Sequence, residues 1–240
     1  MDLICRSRYD GAFFHVLHDC VIPNICNIEQ LQYRNGSACY DTWQERWIKL
    51  FAPNLKRVNK CTERPSTDNC DVSAALKRLL PVHAKPSDIV VLQRSNTRIF
   101  EKWSFNRLCS QLRTKGRVVV YKGTEDPRTT VEIFQKARYL VGYHGAGLVN
   151  AFFMNNATRI LEISTYQDLN NTVPWRTNMR KVTKYGSFEQ QVLRLPLQQL
   201  LKTNKVAYRA HDSDHFVKNL RLVSLTRENV QQILDFITDN

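Results

Sequence analysis

The sequence has no apolar run that approaches the roughly 18–20 residues of a membrane-spanning helix, so no span is predicted. Its first residues, MDLICRSRYDGAFF, do not show the basic and then apolar layout of a secretory signal. No internal repeat and no low-complexity segment occurs along the 240 residues. These absences favour a soluble globular chain, long enough for one large domain or two small ones.

Paired cysteine motifs are also missing, because no C-x-x-C occurs among the seven cysteines, and this argues against a zinc site. Six of the seven precede residue 71. This distribution is compatible with one or two disulfides in an oxidising compartment and with scattered buried thiols in a reducing one. The cysteines are Cys5, Cys20, Cys26, Cys39, Cys61, Cys70 and Cys109.

Acidic residues are in deficit, since 22 Asp and Glu stand against 35 Lys and Arg, and the formal net charge is +13. Such an excess favours an anionic partner: nucleic acid, an acidic surface or a phosphorylated substrate. The basic residues are spread along the chain without one dense tract. No zinc-finger spacing or RNA-binding aromatic motif accompanies them. Nucleic acid is therefore the less favoured of these partners.

The chain changes character at Asn59–Asp71, a polar stretch with Pro, Ser, Thr and Asp that is typical of a linker or long loop. Before it, Ala12–Leu31 and Tyr40–Phe51 have the mixed three-and-four spacing of helices. We therefore predict an amino-terminal lobe over residues 1–70 and a second lobe over 71–240. The carboxy-terminal helix, residues 226–238, is expected to pack back on the first lobe.

After the linker, apolar β-branched runs alternate with helical patterns, which is the signature of parallel strands covered on both faces. Residues 86–163 are predicted to form a Rossmann-like α/β unit, in which ligands bind outside the carboxyl ends of the strands. The predicted strands are DIVVLQR, RVVVYKG, YLVGY and TRILEIS, and the predicted helices are FEKWSFNRLCSQLRTKG, DPRTTVEIFQKAR, GAGLVNAFFM and the closing TRENVQQILDFITDN.

His144, Gly145, Ala146 and Gly147 stand where one of these strands ends and a helix begins. Backbone N–H groups at a helix start attract phosphate, and glycine lets a ligand approach the backbone. His144 could add a side-chain donor to the phosphate or to a leaving-group oxygen. The same residues also suit a tight strand-to-helix turn in which His144 is only a polar cap.

Arg94 and Arg98 directly follow the first of the predicted strands, at the same edge of the sheet. A guanidinium group can donate two parallel hydrogen bonds to phosphate oxygens, and it keeps its charge at any physiological pH. We call these two residues the arginine clamp, because together they could hold a diphosphate. Ordinary surface arginines in a solvated loop are the alternative.

His15, His18 and Asp19 are spaced i, i+3 and i+4, so they share one face of a predicted helix. A His–Asp pair suits general-base chemistry, because the carboxylate raises the basicity of the imidazole. The polar side of an amphipathic helix would give the same spacing.

Three stretches together resemble the family 61 glycosyltransferases: FFHVLHDCVIPNI, VVLQRSNTRIF and ARYLVGYHGAGLVNAFFMNNATRILEI, in this order. The resemblance covers about residues 10–165. Its most specific part is the HGA-x-L stretch followed by a "VVE"-like triplet, here Ile160–Glu162.

The resemblance implies a GT-B-like α/β fold with two Rossmann-like lobes, the amino-terminal one reduced. It implies an inverting transfer from a UDP-sugar to a hydroxyl of a glycan or glycoprotein, with no metal or other cofactor. No convincing D-x-D occurs in the sheet region; the DSD at 212–214 falls in a late polar segment. The resemblance assigns the donor to Arg94, Arg98, His144, Gly145, Ala146, Gly147 and Glu162, and the base to Asp19 or His15.

Several alternatives stay open at this stage. The sugar could be xylose or N-acetylglucosamine, since the family uses both. A nucleotide- or polyanion-binding module without turnover would use the same basic edge but would need no base on the predicted His15/Asp19 helix. The expected location is cytoplasmic for a complete chain and the lumen of the endoplasmic reticulum or Golgi for a trimmed one.

Overall fold

The computed structural model describes residues 3–5, 31–34, 50, 56–58, 85–95, 97–155, 158–164, 188–204 and 221–238. The chain divides into two compact units. The first comprises residues 1–83 and 126–131, and the second comprises residues 84–125 and 132–240. The predicted division at residue 70 stays a prediction, because the linker over Asn59–Asp71 lies outside the described residues.

The first unit contains a parallel sheet of three short strands, β1 (Leu3–Cys5), β2 (Leu31–Arg34) and β3 (Lys56–Val58). Leu31 was expected to end the helix over Ala12–Leu31, and that boundary is wrong because Leu31 opens β2. Leu50 is helical, as expected for Tyr40–Phe51. The other residues of both predicted helices lie outside the described part of the chain.

The second unit is built on a parallel sheet of five strands in the order β6-β4-β7-β8-β9. In chain order this is 2-1-3-4-5, one of the two common orders of doubly wound sheets. A separate two-stranded parallel pair joins β5 and β10. The strands are β4 (Asp88–Leu92), β5 (Ile99–Phe100), β6 (Val118–Tyr121), β7 (Ala137–Tyr143), β8 (Arg159–Ser164), β9 (Glu189–Arg194) and β10 (Leu222–Val223).

Four helices and one 3₁₀ helix follow Leu92 in the described residues: α1 (Lys102–Arg113), α2 (Pro127–Gln135), the 3₁₀ helix (Ala146–Phe153), α3 (Leu197–Asn204) and α4 (Arg227–Thr238). Residues 127–131 of α2 belong to the first unit. The predicted strands at β4, β6, β7 and β8 and the predicted helices at α1, α2 and α4 are confirmed. The α-helix expected after Gly145 is instead a 3₁₀ helix, opened by the bond from Leu148 N–H to Gly145 O at 3.1 Å.

The core of the second unit lies where α1 and α4 cover one face of the sheet. Leu108 and Leu112 of α1 are four residues apart and fully buried, and Ile233 of α4 is buried beside them. Each such side chain contributes about 1.5–3 kcal/mol through removal from water. On the other face Val90 and Leu140 are also fully buried, so β4 and β7 are apolar on both sides.

The outer strand β9 is less buried than the central strands. β9 is an outer strand, and its side chains are mostly exposed or half-buried, in contrast to the buried β7 and β8. Outer strands face solvent and tolerate polar residues. No helix in the described residues is long and apolar enough to cross a bilayer.

Candidate functional site

The carboxyl ends of β4 and β7 lie side by side, because these two strands pair in parallel. The sheet order reverses between them: β6, the next strand of this sheet in sequence, lies on the other side of β4. A reversal of this kind leaves a crevice in which doubly wound sheets bind their ligands. The residues after Leu92 and after Tyr143 therefore occupy the expected ligand-binding position.

The loop after β4 is closed by one side chain. Gln93 Nε2 donates to Phe100 O at 3.2 Å, and Phe100 N–H donates to Gln93 Oε1 at 3.2 Å. These two bonds imitate a rung of a β-ladder and fix both ends of the loop. Arg94 and Arg98 lie inside it, so their backbone positions are set by the Gln93 bridge.

Both guanidinium groups of the arginine clamp pack against Gly145. A Cβ atom placed on Gly145 would overlap Arg94 Nη1 and would lie 3.8 Å from Arg98 Cζ. Arg98 Nη1 also donates to His144 O at 3.0 Å. A residue without a side chain is thus required at 145 for this close approach. The loop after β4 and the end of β7 are therefore in contact, although Arg98 and His144 are 46 residues apart in sequence.

The charges of the clamp are held at a cost. Burial, and next the charge of Arg98, lower the pKa of Arg94 to about 10, while interaction with Tyr143 opposes the shift. Burial likewise lowers the pKa of Arg98. Both side chains stay protonated at neutral pH, but the unliganded protein pays for their charge. An anion between them would offset that cost.

Unsatisfied donors point the same way. The Nε–H groups of Arg94 and Arg98 are buried and find no acceptor among the described residues. A buried donor without an acceptor costs about 1–3 kcal/mol. Arg98 also has a φ of 55°, in the left-handed region, at a further cost of about 1–2 kcal/mol. Strain and orphaned donors of this kind concentrate at binding sites.

His144 is held by the neighbouring strand. Its backbone N–H donates to Ile163 O at 2.7 Å, which continues the β7–β8 ladder by one residue. Its Nδ1 forms a hydrogen bond with Glu162 Oε1. Gln190 Nε2 of β9 donates to the other carboxylate oxygen of Glu162 at 2.7 Å. The Glu162 side chain is only 8% exposed, so its carboxylate is buried between these two partners.

The start of the 3₁₀ helix supplies backbone groups. The first N–H groups of any helix have no carbonyl partner within it, and here they follow Gly145 directly. Asn150 is buried and donates from Nδ2 to Gly147 O at 3.0 Å, which braces the turn. A Cβ on Gly147 would come within 3.3 Å of Leu92 Cδ1, so the turn also packs closely on the end of β4.

The structure therefore brings together Arg94, Arg98, His144, Gly145 and Gly147, and it places Glu162 behind His144. Their roles stay predictions. The side chain of Ala146, and all of His15, His18 and Asp19, lie outside the described residues, as does the DSD at 212–214.

Gln190 was not predicted, since an isolated glutamine carries no sequence signal, and neither was Thr97, whose Oγ1 accepts from Arg94 Nη2 at 3.4 Å. The described residues contain no group of three or more His, Cys, Asp or Glu side chains that could hold a metal ion. Cys109 is a buried free thiol whose pKa is raised by burial, and it belongs to the core.

The fold and site define a doubly wound parallel α/β protein with paired cations at its switch point. The sequence model of the family described as Glycosyltransferase 61 matches residues 13–161. That match spans more than half of the 240 residues, and the chain belongs to glycosyltransferase family 61. A comparison with curated proteins gave no match. The protein is thus a glycosyltransferase, whose partners are a sugar donor and an acceptor.

Proposed function

We propose that the chain transfers xylose or N-acetylglucosamine from a UDP-sugar to a hydroxyl of a glycan or glycoprotein, with inversion at the anomeric carbon. The observation that carries the donor assignment is the packing of both clamp guanidiniums on Gly145. Two converging guanidiniums with orphaned Nε–H groups suit the oxygens of a diphosphate, which accept several charge-assisted hydrogen bonds at once.

The clamp also suggests how the leaving group is stabilised. As the sugar departs, negative charge grows on the β-phosphate of UDP, and fixed cations and N–H groups stabilise that charge in the transition state. Arg94, Arg98 and the backbone after Gly145 would supply them without a metal ion. We therefore propose a metal-independent reaction.

The base is assigned to the amino-terminal part of the chain. In the proposed GT-B arrangement of two Rossmann-like lobes, residues 1–70 serve the acceptor and the second lobe serves the donor. An inverting transfer needs a group within about 3 Å of the attacking hydroxyl to take its proton. Asp19, alone or through His15, is the proposed base.

Calorimetry with UDP in the presence of EDTA tests the donor assignment. We expect binding without added metal, with at least a roughly tenfold preference for UDP over ADP, which is about 1.4 kcal/mol. Binding that requires manganese would contradict the metal-free reaction. Absence of UDP binding under any condition would contradict the donor assignment itself.

Two alanine variants test the clamp. Arg94→Ala and Arg98→Ala should each weaken UDP binding by about 1.5–3 kcal/mol, the usual worth of a charge-assisted hydrogen bond. Arg138→Ala is the matched control, because Arg138 is an exposed arginine at the amino end of β7, away from the clamp edge. Normal UDP affinity in both clamp variants would show that these arginines do not hold the donor.

Turnover separates catalysis from simple binding. With a panel of UDP-sugars and acceptors, Asp19→Asn should lower turnover by about 10²–10⁴-fold and leave UDP affinity unchanged. His15→Ala should act similarly and non-additively, while His18→Gln should be mild. The wild-type protein could bind UDP and yet release no UDP from any UDP-sugar. That result would favour the alternative, a nucleotide-binding module without turnover.

A further inference from the structure

The hydrogen-bond chain behind His144 carries an inference that rests on the proposed function. One carboxylate oxygen of Glu162 shares a hydrogen bond with Nδ1 of His144, and the other accepts from Gln190. We propose that Glu162 and Gln190 are positioning residues, which keep a proton on Nε2 of His144 so that this nitrogen donates to the β-phosphate of the bound nucleotide.

The location of the three residues favours a role at the site over a purely structural one. His144 is the residue that immediately precedes Gly145, and its carbonyl accepts from the clamp residue Arg98. Glu162 lies on the opposite face of β8 from Leu161 and Ile163, which belong to the main core cluster. Burying a carboxylate costs free energy unless its oxygens have hydrogen-bond partners, and both oxygens of Glu162 have one.

The number of protons shared by His144 and Glu162 determines whether Nε2 of His144 is a hydrogen-bond donor. One proton must lie between Nδ1 and the Glu162 carboxylate, whichever of the two atoms holds it, because otherwise no hydrogen bond forms. The second carboxylate oxygen already accepts from the Gln190 amide. If the His–Glu pair is neutral overall, the remaining proton is therefore on Nε2, and this nitrogen is a donor. Only a pair with net charge −1 would present a bare Nε2.

A bound diphosphate selects the neutral pair. Its own negative charge disfavours a second net negative charge beside it, and a phosphate oxygen needs a donor and repels a bare imidazole nitrogen. Among the described residues, the titratable and charged groups named around His144 are Glu162 of β8, Tyr143 on its own strand, and Arg94 and Arg98 of the loop after β4. The two arginines attract the diphosphate, and Glu162 lies on the other side of the His144 ring from that ligand.

This assignment gives Glu162 a different task from direct contact with the donor. Its carboxylate is occupied by His144 and Gln190, so it acts on the nucleotide through the imidazole. The proposed contact is made to the β-phosphate, which UMP lacks. The affinity for UMP should therefore not depend on the hydrogen bonds that join His144, Glu162 and Gln190. The ratio of UDP to UMP affinity is therefore the diagnostic quantity.

The experiment measures UDP and UMP binding by calorimetry, and the melting temperature, for wild type, His144→Ala, Glu162→Gln and the double variant. We expect each single variant to weaken UDP binding about five- to tenfold and to change UMP binding less than about twofold. The double variant should be no more than about twofold worse than His144→Ala. Gln190→Ala should give a smaller loss in the same direction, and Gln191→Ala, on the exposed face of β9, should give none.

Nitrogen-15 NMR of the UDP-bound wild type gives a readout that needs no stable Glu162 variant. The histidine signal absent from His144→Ala should show a protonated Nε2, whereas a bare Nε2 would overturn the proposal. Equal losses for UDP and UMP, additive losses, or unchanged UDP affinity would also overturn it. Those results leave wild-type UDP binding intact; a wild type that does not bind UDP would instead remove the proposed function and this inference with it.

Discussion

At the scale of single residues, Gly145 is the position where the site depends on a missing side chain. The guanidinium of Arg94 occupies the space that a Cβ would take, and the Arg98 guanidinium would lie in ordinary contact with it. Gly116 offers a contrast, since a Cβ there would meet nothing closer than Ile89 Cδ1 at 3.6 Å. The two glycines therefore serve different purposes, one for packing of charge and one for ending a turn.

We expect Gly145→Ala to weaken UDP binding at least about tenfold, because the new methyl group displaces Arg94 from its place beside the strand end. Gly116→Ala should bind UDP normally, since its methyl group makes only ordinary contacts. Calorimetry on both variants checks this. Equal UDP affinity in the two variants would show that the approach of Arg94 to Gly145 has no part in binding.

The arginine clamp is expected to favour UDP binding and to lower the free energy of unfolding of the unliganded protein. The pKa of Arg94 lies below its ordinary value in the folded protein, so at every pH below about 10 the charged side chain lowers the free energy of unfolding. Arg94→Met should therefore raise the free energy of unfolding of the unliganded protein by about 0.5–2 kcal/mol and should lose UDP binding. Urea unfolding measures the first effect, with Arg138→Met as control. A destabilised Arg94→Met would mean that the buried charge is already balanced without a ligand.

At the scale of elements, the predictable strands are the ones with the most uniform environment. Val90, Leu140 and Ile160 belong to runs that are buried on both faces, so their sequences are continuously apolar. β9, with the sequence EQQVLR, escaped prediction because an outer strand keeps only part of its surface buried. β5 and β10 have two residues each, too few for any periodic pattern.

The same division applies to the site. That Arg94, Arg98 and His144 lie close together could be predicted, because parallel strands place the residues that follow them at one edge of the sheet. The pairing of His144 with Glu162, and of Glu162 with Gln190, depends on the register of β7, β8 and β9, which no local pattern encodes. The 3₁₀ geometry after Gly145 was also missed, because apolar spacing does not distinguish a 3₁₀ helix from an α-helix over eight residues.

The start of helix α4 is capped by the side chains of two residues. Asn229 N–H donates to Thr226 Oγ1 at 3.2 Å, and Thr226 N–H donates to Asn229 Oδ1 at 3.1 Å, so the two residues cap the helix reciprocally. The hydrogen bond with Thr226 also leads the effects that lower the pKa of Glu228.

Thr226→Ala should lower the free energy of unfolding by about 1 kcal/mol, because it removes the cap oxygen. Thr226→Ser keeps that oxygen and should be close to wild type. Both variants should bind UDP normally, since α4 lies against α1 and β9 in the core. Denaturant titration measures the difference, and equal stability of the two variants would show that the cap contributes nothing.

At the scale of the whole molecule, the site joins distant parts of the second unit. Arg98 and His144 are 46 residues apart in sequence, His144 and Glu162 18, and Glu162 and Gln190 28. Such a site exists only when the sheet is assembled. A ligand that binds it is linked to the folding of the whole unit and not to that of one loop.

UDP at about one hundred times its dissociation constant should therefore raise the free energy of unfolding by about 2.7 kcal/mol. Arg94→Met should show the opposite profile, with a higher baseline and no increment from UDP. Thermal unfolding with and without nucleotide provides the comparison. An increment retained by Arg94→Met would place UDP elsewhere on the protein.

The outer strand β9 has a consequence for motion. Outer strands open more readily than central ones, and amide hydrogen exchange reports that opening. Gln190 stands on this strand and donates to the carboxylate that holds His144. If a nucleotide tightens His144, the effect should travel along this chain, and the β9 amides should exchange more slowly when UDP is bound. The border of the sheet, remote from the phosphate itself, would then be where occupancy of the site is most easily read.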